Sequence, residues 1–235
     1  MRKPKVKNRE VIPERTVKLL RAMNPRQAAY IRAICNDTLI IADGPAGTGK
    51  TYIATIKALD LLQSGVVSQI ILTRPAVPAG EKLGFLPGTI AEKYEPYIRP
   101  YMKALKERLS PDVLKQMLED GRIVAEPISF IQGLTFDNAV LLVDEAENLD
   151  IQQFKLLLTR LGEGAKAIFM GDLDQSYINN SGFDLAIDIL YRITTVITFE
   201  IQDVVRSKIC RQVLEAFASY EENHGRLRQP KQGAR

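Results

Sequence analysis

The sequence predicts an α/β protein, a mainly parallel sheet with helices on both faces. Two observations carry that expectation. Short apolar or β-branched runs bounded by turn residues alternate with helical stretches along the chain. Two of those runs also end in chemically loaded turns, GPAGTGKT after TLIIAD and DEAEN after AVLLV. Apolar runs without alternation suit strands buried on both faces, and sheets of that kind carry their ligands at the carboxyl ends of the strands.

In chain order, NPRQAAYIRAI precedes the first strand as an amphipathic helix, and TLIIAD then runs through the Gly-rich turn into the helix of TYIATIKALDLL. Gly65 punctuates, and Val66 to Arg74 reads as a β-branched strand. A Pro/Gly-rich excursion covers Pro75 to Gly88. From about Thr89 to Leu118 the pattern is mostly helical, with breaks expected near Pro96, Pro100 and Pro111. Further strands are expected at Arg122 to Ala125, Ala139 to Val143, Ala167 to Met170 and Thr195 to Phe199. Helices are expected from Ile151 to Leu161, with Asp150 as N-cap, from Phe183 to Leu190, and from about Lys208 to Glu222.

The first loaded turn fits GxxxxGK[ST] through Gly44, Gly49, Lys50 and Thr51. Glycines let successive backbone N–H groups of Gly44, Ala46, Gly47, Thr48 and Gly49 curl toward phosphate oxygens, while Pro45 contributes shape and no donor. Lys50 reaches the β and γ phosphates, and the Thr51 hydroxyl meets Mg²⁺. In the second turn a buried strand delivers Asp144 and Glu145 to the same edge. Asp144 can hold Mg²⁺ with Thr51, and Glu145 can deprotonate the attacking water. In a third turn, MGDLDQ, Gln175 is placed to sense the γ phosphate while Asp172 steadies the loop. Together these turns predict a RecA-like P-loop NTPase using ATP and Mg²⁺, with water as acceptor.

Composition fits one such domain, spanning residues 24–222, between a basic extension at 1–23 and a basic tail at 223–235. Residues 1–9 carry five cations and residues 225–235 four, with no acid in either segment; removing those nine from 32 leaves 23 against 28 acids in the body. Basic arms on an acidic body suit a polyanion such as RNA. No apolar run is long enough for a bilayer and no signal peptide is legible, so a cytoplasmic location is expected. Cys35 and Cys210 are expected to be buried free thiols and His224 to be solvated.

GPAGTGKTYIA, TRPAVPAGEKLGFLPG, YEPYIRPYMKAL, DEAEN, LLLTRLGEGAK, MGDLDQ and DVVR occur in one order across roughly Asn24 to Tyr220, and in this the chain resembles the PhoH-like family of P-loop ATPases. That family is similar to the first motor domain of superfamily 1 helicases. The resemblance implies ATP hydrolysis linked to single-stranded RNA, with a nuclease or ribosomal partner and a nucleotide-dependent scaffold role as the alternative. NPRQ resembles the helicase Q-motif, which implies that Gln27 reads adenine. The segment Arg74 to Gly88 is expected to meet a nucleic-acid backbone through Arg74, Lys82 and the amides of Gly80 and Gly84, with Tyr94, Tyr97 and Tyr101 as stacking surfaces. With no second motor core legible, Arg206 or Arg160 is expected to serve a neighbouring subunit in trans, in a homo-oligomeric ring whose expected size is a hexamer. The chain departs from the family pattern at Gln132, Leu134, Glu147 and Ser207.

Overall fold

The computed structural model describes residues 19–75, 90–178 and 181–224. Six strands form one sheet, β1 Leu39–Asp43, β2 Gln69–Thr73, β3 Ile123–Ala125, β4 Ala139–Val143, β5 Lys166–Gly171 and β6 Thr195–Thr198, in the spatial order β3-β2-β4-β5-β1-β6. Every pairing is parallel. All six expected strands are therefore present; β4 has the expected bounds, β5 is longer by one residue at each end, and the other four are shorter. β4 is buried along its whole length and β5 along all but its first residue, which is why their sequences are apolar without alternation.

Among the described residues eight α-helices accompany the strands: α1 Pro25–Asn36, α2 Lys50–Gln63, α3 Ile90–Arg108, α4 Pro111–Glu119, α5 Ile128–Ile131, α6 Ile151–Leu158, α7 Gly182–Leu190 and α8 Lys208–His224. One core joins α1 to α4 to one face of the sheet through Ile34, Ile53, Leu59, Tyr101, Leu114 and Leu142. The other joins α5, α6 and α7 to the opposite face through Ile131, Phe154, Phe169 and Phe183. Helices on both faces are thus realised. Local signals set several boundaries: Asn24 caps α1 with Pro25 in its first turn, Ser110 caps α4 ahead of Pro111, and Asp150 and Gln153 form a reciprocal capping box on α6.

Three expectations need correction. Pro96 and Pro100 do not break the helix; α3 runs through both, and the chain breaks only at Leu109–Ser110. The two prolines lie four residues apart on the exposed face, where the carbonyls they leave unpaired can be hydrated. Tyr94 and Tyr101 are core residues and not stacking surfaces. The Tyr94 hydroxyl accepts from the Arg74 N–H at 2.7 Å and the Tyr101 hydroxyl donates to the Thr73 carbonyl at 3.1 Å, so both rings brace the end of β2, with the half-buried Tyr97 stacked on Tyr94. Cys35 and Cys210 are free, as expected, yet Cys35 is exposed and Cys210 half-buried. His224 is exposed. Among the described residues no helix is long and apolar enough to cross a membrane.

Candidate functional site

The carboxyl edge of the sheet gathers the chemistry. Read across that edge, β2 is followed by Arg74, β4 by Asp144 and Glu145, β5 by Asp172 and Gln175, β1 by the Gly-rich loop, and β6 by Phe199 and then Arg206. A cleft of about 410 Å³ opens there, lined by Ala46 to Thr51 together with Arg74, Asp144, Glu145, Gln175 and Arg206 among others.

The loop is held by close backbone approach. Gly44 has φ 129, and a Cβ at that position would lie 2.3 Å from the Phe199 carbonyl oxygen, so no other residue fits. The Lys50 ammonium donates to the carbonyls of Gly44 and, at 3.1 Å, Pro45. Burial lowers the Lys50 pKa, opposed by the charges of Asp172 and Asp144. Gln27 is buried beneath the loop; its side-chain amide donates to the Thr48 carbonyl at 2.8 Å and its side-chain oxygen accepts from the Met23 N–H at 2.8 Å. The structure thus shows both polar ends of Gln27 engaged within the chain, as a brace of the loop.

Across the cleft, the Thr51 hydroxyl donates to Asp144 Oδ1 at 2.9 Å. Two adjacent oxygen ligands on an octahedral Mg²⁺ at 2.0–2.1 Å would stand ~2.9 Å apart, so this pair has the spacing the ion requires. Among the described residues no group of three or more His, Cys, Asp or Glu is arranged to hold a metal. Burial raises the Asp144 pKa, with the Thr51 hydrogen bond and the Arg74 charge opposing the rise.

Glu145 adopts a left-handed backbone, φ 52, and its carboxylate forms an ion pair with the Arg74 guanidinium. Glu147, noted in the sequence only as a departure, proves to be a junction. It is buried, its carboxylate accepts from the Asp172 N–H at 3.2 Å and the Asn148 side chain at 3.3 Å, and the Ser176 hydroxyl donates to its carbonyl at 3.0 Å. The turn bearing Asp144 and Glu145 is thereby tied to the turn bearing Asp172 and Gln175. Burial pushes the Glu147 carboxyl up to about 7. Gln175 donates to Asp172 Oδ2 at 2.6 Å. Burial likewise raises the carboxyls of Asp43 and Asp172.

The two candidate arginines separate clearly. Arg206 borders the cleft of its own chain: a Cβ on Gly47 would lie 3.1 Å from the Arg206 Cβ, and the Val205 N–H donates to the Gly47 carbonyl at 3.0 Å. Arg160 lies beyond α6, beside the Phe136–Leu161 bridge that precedes β4 and β5, and donates to the Leu134 carbonyl at 3.4 Å. It does not line the cleft. Gln132 and Leu134 belong to that same remote region. Lys82, Gly80, Gly84 and both basic arms lie outside the described residues.

A Gly-rich loop between β1 and α2, facing an Asp–Glu pair from a strand two places along a parallel sheet, defines a RecA-like P-loop NTPase. The family model described as PhoH-like protein matches residues 19–218. A PhoH-like protein of Mycobacterium leprae is 41% identical over 211 residues, covering 88% of this chain and 60% of that protein. Protein PhoH of Escherichia coli K12 is 40% identical over 204 residues, covering 84% and 58%. The chain belongs to the PhoH-like protein family, and it spans about 60% of the length of the relatives it matches. Among solved structures, the large terminase of a thermophilic bacteriophage, determined in complex with ADP, superposes with a TM-score of 0.55 at 16% identity, covering 82% of this chain and 49% of the terminase. That likeness is one of fold.

Proposed function

We propose that this chain binds Mg-ATP and hydrolyses it, and that turnover is coupled to single-stranded RNA. The observation that carries the first part is the meeting of Lys50 and Thr51 with Asp144 and Glu145 at one sheet edge, closed by the 2.9 Å Thr51–Asp144 contact. Loop amides and Lys50 bind the phosphates, while Thr51 and Asp144 would hold Mg²⁺, which would supply neutralisation of phosphate charge. Glu145 takes the proton of the attacking water, with the Arg74 ion pair aiming its carboxylate. Gln175 reads the γ phosphate, and Arg206 acts on the nucleotide of its own chain, since it already borders that loop.

The coupling to RNA rests on the basic terminal segments and the family's implied chemistry. With Arg206 working in cis, a ring no longer follows from the need for a trans finger. The ring reading then rests on exposed apolar residues of α7 and α8, such as Ile189 and Phe217. The deciding experiment measures ATP turnover with and without single-stranded RNA on protein of known oligomeric mass. Lys50→Ala should lose ATP binding; Glu145→Gln should keep Mg-ATP binding and turn over about a hundredfold or more slowly, the usual size of a lost general base. Unchanged turnover in Glu145→Gln removes the assignment. Mixing Arg206→Ala with Lys50→Ala chains should restore nothing, and recovery would return Arg206 to a trans role.

A further inference from the structure

We propose that Arg74 is a catalytic residue of this site, a guanidinium supplied by the chain itself that holds Glu145 with one N–H edge and the γ phosphate of bound ATP with another. The proposal rests on the hydrolytic reading above and goes beyond it, since that reading gives Arg74 only the task of aiming Glu145. Strand order puts Arg74 in this place. β2 and β4 are neighbours with Thr73 opposite Val143, so Arg74 and Asp144 are the first residues past two adjacent strand ends, and Glu145 comes next. The Arg74 guanidinium and the Glu145 carboxylate form an ion pair, both side chains are partly exposed, and both residues line the phosphate cleft. Arg206 follows β6, at the other end of the strand order, so the two arginines flank the cleft from opposite sides.

The backbone of Arg74 is fixed on both sides. The Tyr94 hydroxyl accepts from its N–H at 2.7 Å and donates to its carbonyl at 3.1 Å, while the carbonyl of the preceding Thr73 accepts from the Asp144 N–H at 3.1 Å. Anchoring of this kind holds a long side chain at a defined place beside the reacting groups. A guanidinium carries five N–H donors in one plane. Glu145 engages one edge of it, and Nε is buried with no hydrogen-bond partner among the described residues. A buried donor left unpaired is costly, and a ligand oxygen arriving in the cleft relieves that cost. The γ phosphorus belongs between the Lys50–Thr51 side of the cleft and Glu145, the group that faces the attacking water. In the step the water oxygen bonds to that phosphorus, the bond to the β–γ bridging oxygen breaks with its electron pair leaving on ADP, and the water proton passes to Glu145. Negative charge thus moves from Glu145 to the phosphate, and a planar cation spanning both groups meets it at each end.

The test measures, on the full chain, ATP turnover, Mg-ADP affinity and affinity for Mg-ADP with aluminium fluoride, a stand-in for the phosphoryl group in flight. Arg74→Ala should lower turnover by roughly 10³-fold or more, the size of a lost arginine at a transferring phosphate, and weaken the aluminium fluoride complex by about tenfold or more. Its Mg-ADP affinity should stay near that of the parent, which reports an intact loop. Arg74→Lys keeps the charge without the fork and should recover part of the loss. The double variant separates contact with phosphate from aiming of the base. In Glu145→Gln, which has no base to aim, Arg74→Ala should still weaken the aluminium fluoride complex by about tenfold or more. No further loss there would show that Arg74 acts only through Glu145 and would overturn the proposal. So would undiminished turnover in Arg74→Ala, or a loss confined to RNA-stimulated turnover, which would assign Arg74 to nucleic acid. Mg-ADP affinity lost in both Arg74→Ala and Arg74→Lys would mean a distorted cleft and would overturn it as well. A parent chain that binds no Mg-ADP and hydrolyses no ATP would remove the nucleotide reading itself, an outcome that none of the variant results imitates.

Discussion

At the residue scale, Glu147 makes the chain's least ordinary choice. Its carboxyl sits in a buried junction, where protonation near pH 7 relieves the desolvation of a charge. In the unfolded chain the same group loses its proton near 4.5. Between those two values the folded state binds the extra proton, so stability falls as pH rises from about 4.5 to 7 and then levels off. A shift of that size corresponds to ~3 kcal/mol. Glu147→Gln carries no charge and should therefore match the parent chain near pH 4.5 and exceed it by up to ~3 kcal/mol at pH 8, read from denaturant unfolding across pH. A difference that stays flat with pH would show that Glu147 titrates normally. Lys50, Thr51, Asp144 and Glu145 were legible because their spacing is local and each chemical role needs a fixed residue type. The Glu147–Asp172 and Arg74–Glu145 partnerships were not, because each joins residues far apart in sequence that only the strand order brings together.

At the scale of elements, α8 differs from every other long helix. None of its residues is buried, and Ile209, Val213, Phe217 and Tyr220 form an exposed stripe at helical spacing. Its first turns are tied to the body, where Arg211 donates to the Val204 carbonyl at 2.7 Å. Backbone amides of Gln212 to Tyr220 should accordingly exchange with solvent within minutes in hydrogen-exchange measurements, while those of Ile53 to Leu59 in the buried α2 persist far longer. Slow exchange throughout α8 would show that its stripe is covered in solution. The sequence located α8 well, since its apolar period is regular, but period alone cannot say whether a stripe finds a partner. The same limit explains α3: the prolines were visible, whereas the wet face that tolerates them was set by Tyr94 and Tyr101 packing against the end of β2. Cys35 shows it in miniature, an apolar-looking helical position on the outer face of α1.

At the scale of the molecule, the order β3-β2-β4-β5-β1-β6 places the first strand between two strands from the other half of the chain. β1 pairs with β5 through Leu39 to Ala167 and with β6 through Ile40 to Thr195. The Gly44 turn then closes on Phe199, and Gly47 on Val205 and Arg206. A chain ending at residue 190 keeps the whole GPAGTGKT segment yet lacks the surface that shapes it, so it should fail to bind Mg-ATP in a direct titration; retained binding would show that the loop shapes itself. The same dependence has a temporal side. On a ribosome adding roughly 5–20 residues per second, about 8 to 30 s separate the synthesis of β1 from that of its last supports. Until β5 is made β1 has neither edge paired, and until β6 and Arg206 follow, one edge stays open and the loop lacks its outer support, so the apolar strand depends on chaperones or on the growing chain itself.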